Sequence, residues 1–361
     1  MLGSVVGPTP TPLGQRPPPS GDDAPLTVPP RAGSVPPRGA PDQASGDGAD
    51  EPASAKQRGV ALGMFAEDVG FSYTPLLREI AALGATHVSL VVPIYQTDGR
   101  SADLHLHTRF SPTLELVADT VRAARREHLE VTLFPIVRLL HPKDGEWRGT
   151  LAPRDRRRWF DAYAEVLGDI AAVGAQTGAT RLAVGSELSS LDDDLGHWKP
   201  LVERIRAVFP GKLLYSANWD HYRQAGLFDL VDEDGVVAYF PLRESAKVDL
   251  TDGGLEAAWR RHKQELLDWH AGREHPLILT ELGYRSRAGS TIAPWDESGG
   301  GTPEPNEQRR AFAAFRRAWS GERRLGGVYV WNWYGWGGQH STGYTPRGKP
   351  AEGEVKELLA E

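Results

Sequence analysis

Arg181-Leu-Ala-Val-Gly-Ser-Glu187 is a short apolar run that ends in a carboxylate, and this stretch decides the fold. Pro276-Leu-Ile-Leu-Thr-Glu-Leu-Gly283 repeats the pattern, with Glu281 at the end of the apolar run. Apolar strand residues are easily buried, whereas a buried ionisable group is costly unless something uses it. The two stretches therefore predict a pair of strand-end carboxylates that face one pocket.

Strand-like and helix-like runs alternate along the chain on either side of these stretches. The predicted strands are 59–64, 87–94, 130–137, 181–185, 213–217, 236–240, 277–280 and 327–331. The predicted helices are 74–83, 113–127, 154–177, 195–209, 255–271, 306–320 and 353–359, and only short helical turns near Tyr222 and Phe228 follow the fifth strand. The strands are continuously apolar, as expected where protein covers both faces of a sheet.

Eight strands with helical connections predict a single (β/α)8 TIM barrel over residues 57–361, in the α/β class. An open, doubly wound sheet is the alternative. That fold favours a glycine-rich phosphate turn after the first strand, and Gly63-Met-Phe-Ala-Glu-Asp-Val-Gly70 is not such a turn.

Residues 1–56 have a different composition, rich in Pro, Gly, Ser and Asp. Such a segment buries too little apolar surface to offset the entropy of ordering, so we predict a disordered tail or linker. A surface tether in which the tail is the working part is the alternative. No apolar run reaches the ~20 residues of a membrane-spanning helix. No complete signal peptide is visible, so the location stays open, and a secreted or cell-surface location is compatible with the sequence.

The composition excludes several classes of function. A net charge of −7 argues against nucleic acid as a partner. The absence of cysteine excludes disulfides, thiolate nucleophiles and sulfur-ligated metals. His105 and His107 could begin a metal site, but no third ligand is evident nearby. We therefore expect no metal and no cofactor, and we predict a monomer.

Paired carboxylates are the groups that glycoside cleavage requires. One protonates the leaving oxygen, and the other attacks the anomeric carbon or activates water. A separation of ~5–5.5 Å implies retention of configuration and ~6.5–9.5 Å implies inversion. The alternative for each glutamate is a helix cap or an ion pair with arginine. Two glutamates at equivalent strand ends favour the catalytic interpretation for Glu187 and Glu281.

Aromatic residues accompany the strand ends. The eighth strand ends in Val328-Tyr-Val-Trp-Asn-Trp-Tyr-Gly-Trp336, and the fifth ends in Ser216-Ala-Asn-Trp219. Sugars present flat apolar faces with a rim of hydroxyl groups, so their sites combine aromatic platforms with short polar groups. We predict that Trp219 and the tryptophans of the eighth strand line such a site.

Six short segments together resemble glycoside hydrolase family 113. They are Asp144-Gly-Glu-Trp-Arg-Gly149, Gly185-Ser-Glu-Leu188, Tyr215-Ser-Ala-Asn-Trp-Asp220, Ala238-Tyr-Phe-Pro-Leu242, Leu279-Thr-Glu-Leu-Gly-Tyr-Arg285 and Trp331-Asn-Trp333. The resemblance covers about residues 58–345. That family belongs to a clan of retaining barrel glycosidases, and its characterised members act on β-1,4-mannan. The resemblance implies a retaining, mannanase-like glycosidase acting on β-linked polysaccharide or oligosaccharide.

The same resemblance implies roles for individual residues. Glu187 is the acid/base, Glu281 is the nucleophile, and Tyr239 is the hydrogen-bond partner of the nucleophile. Either Trp331 or Trp333 forms the floor of the subsite that holds the attacked sugar. The remaining predicted substrate-binding residues are Ser186, Asn218, Trp219 and Arg138.

Two departures from the family pattern bear on the substrate. Much of the clan has Asn before the acid/base, where this chain has Ser186. Family members tend to end the third strand with Lys-Pro-His-Val-Asp, whereas this chain has Phe134-Pro-Ile-Val-Arg138. Polar contacts to the sugar would then differ. The sugar, the linkage and endo or exo action stay open, and a carbohydrate-binding barrel without turnover is the alternative.

Overall fold

The computed structural model describes residues 56–68, 70–297 and 301–361. The predicted tail, residues 1–56, lies outside the described residues except for Lys56, so that assignment and its boundary stay predictions. Within the described ranges, no helix combines the length and the apolar character needed to cross a membrane.

Eight parallel strands form a closed barrel in chain order, with β8 pairing back onto β1. The strands are β1 Gln57–Gly63, β2 His87–Gln96, β3 Glu130–Leu139, β4 Arg181–Ser186, β5 Lys212–Ala217, β6 Glu233–Val237, β7 Leu277–Leu282 and β8 Leu325–Val330. The predicted (β/α)8 barrel is confirmed. Closure also excludes the open sheet, because every strand has a neighbour on both sides.

Helices cover the outside of the barrel. They are α1 Thr74–Ala82, α2 Leu114–Arg126, α3 Arg156–Thr177, α4 Leu195–Arg206, α5 Asp252–His270, α6 Pro305–Trp319 and α7 Ala351–Ala360. Between β5 and β6 the chain forms only the short 3-10 helix Leu227–Leu230, as the sequence predicts.

The helix α2 illustrates why these segments are helical. The side chain of Thr113 accepts a hydrogen bond from the backbone N–H of Leu116 at 3.1 Å, which satisfies one of the free donors at the helix start. Val117, Val121 and Ala124 are buried at helical spacing, so one face packs on the sheet. In helices with this pattern, the buried face packs against the outer side of the sheet, and the two surfaces together form the apolar layer between them.

Apolar side chains fill two separate layers. The larger layer lies between strands and helices, and the smaller one lies inside the barrel. The inner layer consists of Ala61, Val91, Phe134, Ile136, Ala183, Leu214, Val237, Tyr239 and Trp331. The interior is therefore packed rather than open, and a site can form only where the strands end.

A polar network closes the base of the barrel, at the N-terminal ends of the strands. Glu233 begins β6, and its Oε1 accepts hydrogen bonds from Gln57 Nε2 at 2.9 Å and from Arg181 Nε at 3.0 Å. Tyr329 in turn donates to Gln57 Oε1 at 2.8 Å. Glu233 is fully buried, so Arg181 depends on this carboxylate for compensation of its charge.

We predict that Glu233→Gln lowers the free energy of unfolding by about 3–5 kcal/mol, because it leaves Arg181 buried without a counter-charge. Urea denaturation measures the change. The matched control is Glu203→Gln at an exposed position of α4, which we expect to change stability by less than about 0.5 kcal/mol. Equal midpoints for the two variants would show that the base network contributes little.

Candidate active site

Glu187 and Glu281 lie at the C-terminal ends of β4 and β7, the barrel face where functional loops gather. Glu187 directly follows β4 and has a φ of 52°, and its backbone N–H donates to Ser216 O at 2.8 Å. Left-handed backbone is uncommon for a residue with a Cβ, and such positions concentrate at functional sites. The backbone at Glu187 thus marks this strand end as a candidate site.

Arg148 holds the carboxylate of Glu187. Its Nε and Nη2 donate to Glu187 Oε2 at 2.8 and 2.5 Å. Burial by itself lowers the pKa of Arg148, but the negative charges of Glu187, Glu281 and Glu297 hold that pKa above its usual range. The guanidinium therefore lies within the electrostatic reach of both candidate catalytic carboxyls.

Glu281 is almost completely buried, with 1% of its surface exposed. The Tyr239 hydroxyl donates to Glu281 Oε2 at 2.7 Å, while Oε1 has no hydrogen-bond partner within the described part of the chain. Burial, together with the negative charge of Glu187, raises the pKa of Glu281 from 4.5 to about 8, although Arg148 and Tyr239 act in the opposite direction. At neutral pH Glu281 therefore keeps its proton while Glu187 is paired with Arg148.

A cavity of about 280 Å³ opens where Arg148, the partner of Glu187, reaches the same barrel face. Its lining residues come from the ends of β1, β3, β7 and β8 and from the loops that follow, and they are Phe65, Ile136, Arg138, Arg148, Arg285, Glu297, Trp331, Asn332, Gly343 and Tyr344. Arg148 connects the cavity to Glu187, and Tyr344 connects it to Tyr239, with ring centroids 6.0 Å apart. Glu187 and Glu281 are not among these lining residues, and Arg148 and Tyr344 are the lining residues whose contacts lead toward them.

The structure brings several of the predicted site residues together here. Arg138 and Trp331 line the cavity, and Tyr239 makes the predicted hydrogen bond to Glu281. Ser186 is buried next to Glu187, and its hydroxyl has no hydrogen-bond partner among the residues described. A buried hydroxyl without a partner is uncommon in folded proteins, so this polar atom next to Glu187 calls for a functional explanation.

Trp333 is not brought to the cavity. Its indole Nε1 donates to Glu79 Oε2 of α1 at 2.8 Å, which places the ring in the layer between sheet and helices. Trp331 belongs to the inner layer instead and reaches the cavity. Of the two tryptophans predicted as the sugar platform, Trp331 points into the barrel and Trp333 points out toward the helices.

Asn218 and Trp219 lie on the β5 side of the same barrel face, outside the cavity lining. Asn218 Nδ2 donates to Asp220 Oδ1 at 2.8 Å, so the amide supports its own loop. Trp219 packs against the inner layer and stacks on Trp295, with centroids 4.9 Å apart and planes at 22°. The pair forms an aromatic wall, and Trp295, in the loop after β7, is half exposed.

Sequence reasoning missed the roles of Arg148, Arg285, Glu297, Tyr344 and Trp295. All lie in the connections after β3, β7 and β8, Arg148 at the start of the 3-10 helix Arg148–Thr150, and no strand-end pattern identifies them there. Arg148 and Arg285 stand within segments that carry the family resemblance, which was the only signal for them.

The histidine pair does not form a metal site in the described ranges. His105 Nδ1 contacts the backbone oxygen of Asp103 at 2.7 Å, and His107 stacks on Phe110 with centroids 4.6 Å apart. No group of three His, Cys, Asp or Glu side chains that could hold a metal ion occurs among the residues described.

Comparisons with known proteins identify the family and the fold. The model of Glycoside Hydrolase Family 113 matches residues 70–342. The GH113 β-mannanase AaManA from Alicyclobacillus acidocaldarius, in complex with ManMIm, is 23% identical with a TM-score of 0.76, over 85% of this chain and 97% of that one. A second structure, a complex of a GH113 β-1,4-mannanase, is 17% identical with a TM-score of 0.76, over 85% and 99%. At these identities the structural likeness shows the fold. No curated protein matches the chain.

We predict that Glu281→Gln stabilises the protein increasingly between about pH 5 and 8. The folded state holds a proton on Glu281 up to about pH 8, whereas the unfolded state releases it near 4.5, so the wild type loses stability as the pH rises through this window. The loss is up to about 1.4 kcal/mol per pH unit, and the amide does not titrate.

Denaturation at pH 5, 6.5 and 8 measures this difference. Glu203→Gln, which removes a carboxyl from an exposed position, is the control and should show a constant difference from wild type. A constant difference for Glu281→Gln as well would contradict the raised pKa.

Proposed function

We propose that this chain, which belongs to glycoside hydrolase family 113, cleaves β-linked polysaccharide or oligosaccharide with retention of configuration. The chain is a glycosidase; its mechanism and its two catalytic glutamates are the proposal. The observation that carries the proposal is the position of Glu187 and Glu281 at the C-terminal ends of β4 and β7, where Arg148 binds the first and Tyr239 binds the second. The mannanases of similar fold suggest a mannan-like substrate.

In the first step the Glu281 carboxylate attacks the anomeric carbon. The bond between that carbon and the glycosidic oxygen breaks, and Glu187 gives its proton to the departing oxygen. A covalent glycosyl ester on Glu281 results. Tyr239 supports this step, because its hydroxyl favours the ionised form of Glu281 and fixes the orientation of the carboxyl group.

In the second step water replaces Glu281. Glu187 takes a proton from the water, whose oxygen attacks the anomeric carbon, and the ester bond to Glu281 breaks. The pair then holds one proton and one negative charge, as it did at the start. No further proton donor is needed.

The free protein holds this proton on the other carboxyl. Glu281 is protonated near neutral pH, and Glu187 is bound to Arg148. The first step requires the reverse, so the proton must pass to Glu187 and Arg148 must release Glu187 Oε2. We infer that the sugar entering the cavity drives this exchange, because Arg148 both lines the cavity and binds Glu187.

We predict that Glu281→Ala abolishes measurable release of reducing ends from soluble β-mannan and β-1,4-manno-oligosaccharides. Glu187→Ala lowers kcat by ~10²–10⁴-fold on these substrates, and by less on aryl glycosides whose leaving group needs no proton. The anomer formed first, followed by NMR, is the β form if configuration is retained.

Glu203→Ala is the control for these substitutions and should keep wild-type rates. Undiminished hydrolysis by Glu281→Ala would overturn the assignment of the nucleophile. Wild-type protein that binds these sugars without cleaving any of them would support the carbohydrate-binding alternative.

We predict that Tyr239→Phe shifts the acidic limb of the kcat/KM profile to higher pH. Loss of the hydroxyl removes a hydrogen bond that lowers the pKa of Glu281, so more of the nucleophile is protonated at a given pH. A fall of about 10-fold at pH 6 fits one hydrogen bond to a charged group.

Tyr222→Phe is the matched control, because Tyr222 is also buried and its hydroxyl has no hydrogen-bond partner in the described ranges. An unchanged pH profile for Tyr239→Phe would exclude a role for this hydroxyl in ionising Glu281.

A further inference from the structure

Three guanidinium groups line the cavity. They belong to Arg138 at the end of β3, Arg148 in the loop after it, and Arg285 after β7. Among the described residues, Glu297 supplies the one carboxylate of this lining. Like charges in one lining repel one another, and a neutral sugar does not relieve that repulsion, whereas an anionic ligand does.

Two of the arginines are held by their surroundings. Arg148 is bound to Glu187 through Nε and Nη2. Arg285 donates to the backbone oxygens of Thr342 at 3.1 Å and Glu297 at 3.0 Å. Both side chains are thereby fixed as part of the cavity wall.

Arg138 differs, because it has no hydrogen bond or ion pair with any residue that the structure describes. Its guanidinium lies over the ring of Phe65, 5.8 Å from the centroid. Glu67, on the same loop as Phe65, is paired with Arg109 at 2.8 Å instead. The donors of Arg138 are therefore open to a ligand at the cavity wall.

The charges around the cavity do not balance. Arg138, Arg148 and Arg285 face the carboxylates of Glu187 and Glu297, while Glu281 keeps its proton at neutral pH. Among the described residues, Arg138 is the lining arginine that has no counter-charge. A ligand with one carboxylate would restore the balance.

We propose that the sugar bound in this cavity is a hexuronic acid and that Arg138 binds its carboxylate. A planar guanidinium donates two parallel hydrogen bonds to a carboxylate, whereas a hydroxymethyl group offers only one neutral acceptor. The inference rests on the proposed function, since it names the class of sugar that the same site receives. The proposed substrate of this protein is therefore a β-linked glycan whose sugars carry a carboxylate at C6.

The test is calorimetric binding to the Glu281→Gln protein, which cannot turn over and mimics protonated Glu281. The two ligands are β-1,4-mannotetraose and the corresponding tetrasaccharide of β-1,4-linked mannuronic acid, which differ only at C6. At low ionic strength we expect the acidic ligand to bind at least about tenfold more tightly. Equal affinities, tighter binding of the neutral ligand, or no binding of either would overturn the proposal.

A second substitution locates the effect. Arg138→Gln in the same background should reduce the ratio of the two affinities by about tenfold, and salt should reduce it as well. Arg126→Gln removes the same charge from an exposed position of α2 and should keep the ratio. An equal loss of preference in both variants would assign it to net charge and overturn the role of Arg138.

Failure of this inference and failure of the proposed function give different results. If wild-type protein hydrolyses neutral β-mannan and the Glu281→Gln protein binds both ligands equally, the acidic sugar is wrong and the retaining glycosidase stands. If the acidic ligand is preferred but wild-type protein releases no reducing ends from either ligand, the binding inference stands and the proposed catalysis is wrong.

Discussion

The site depends on one electrostatic constraint, the presence of two carboxyl groups in a volume that excludes most water. Both cannot ionise there without a large cost, so one keeps a proton. Arg148 and Tyr239 decide which one, because a guanidinium binds Glu187 while only a phenol donates to Glu281. The raised pKa of Glu281 is the result. A carboxyl pair that shares one proton is also what two-step glycoside cleavage uses, so the constraint and the chemistry agree.

The barrel makes this constraint possible. Strands β4 and β7 lie on different sides of a closed sheet, yet their C-terminal ends face the same opening. The packed inner layer below, which includes Tyr239 and Trp331, excludes water and fixes these side chains. Loops alone would not hold two buried carboxyls at a constant separation, because their backbone is more mobile than that of paired strands.

The sequence predicted the parts that follow from strand pattern. Apolar runs that end in Glu187 and Glu281 are local signals, and the alternation of strands and helices identified the barrel. Trp331 and Trp333 could not be separated, because the residues follow β8 in irregular backbone where strand alternation no longer assigns the faces. Arg148 could not be found either, since its bond to Glu187 joins residues 39 positions apart through a loop. Charge balance around Arg138 likewise needs the positions of all its neighbours.

The polar network of Gln57, Arg181 and Glu233 lies at the opposite end of the barrel from the candidate active site. Fold stability and substrate specificity therefore depend on separate sets of residues. During evolution, substitutions at the C-terminal ends of the strands can therefore change which glycan is bound. The network at the opposite end continues to stabilise the fold through such changes.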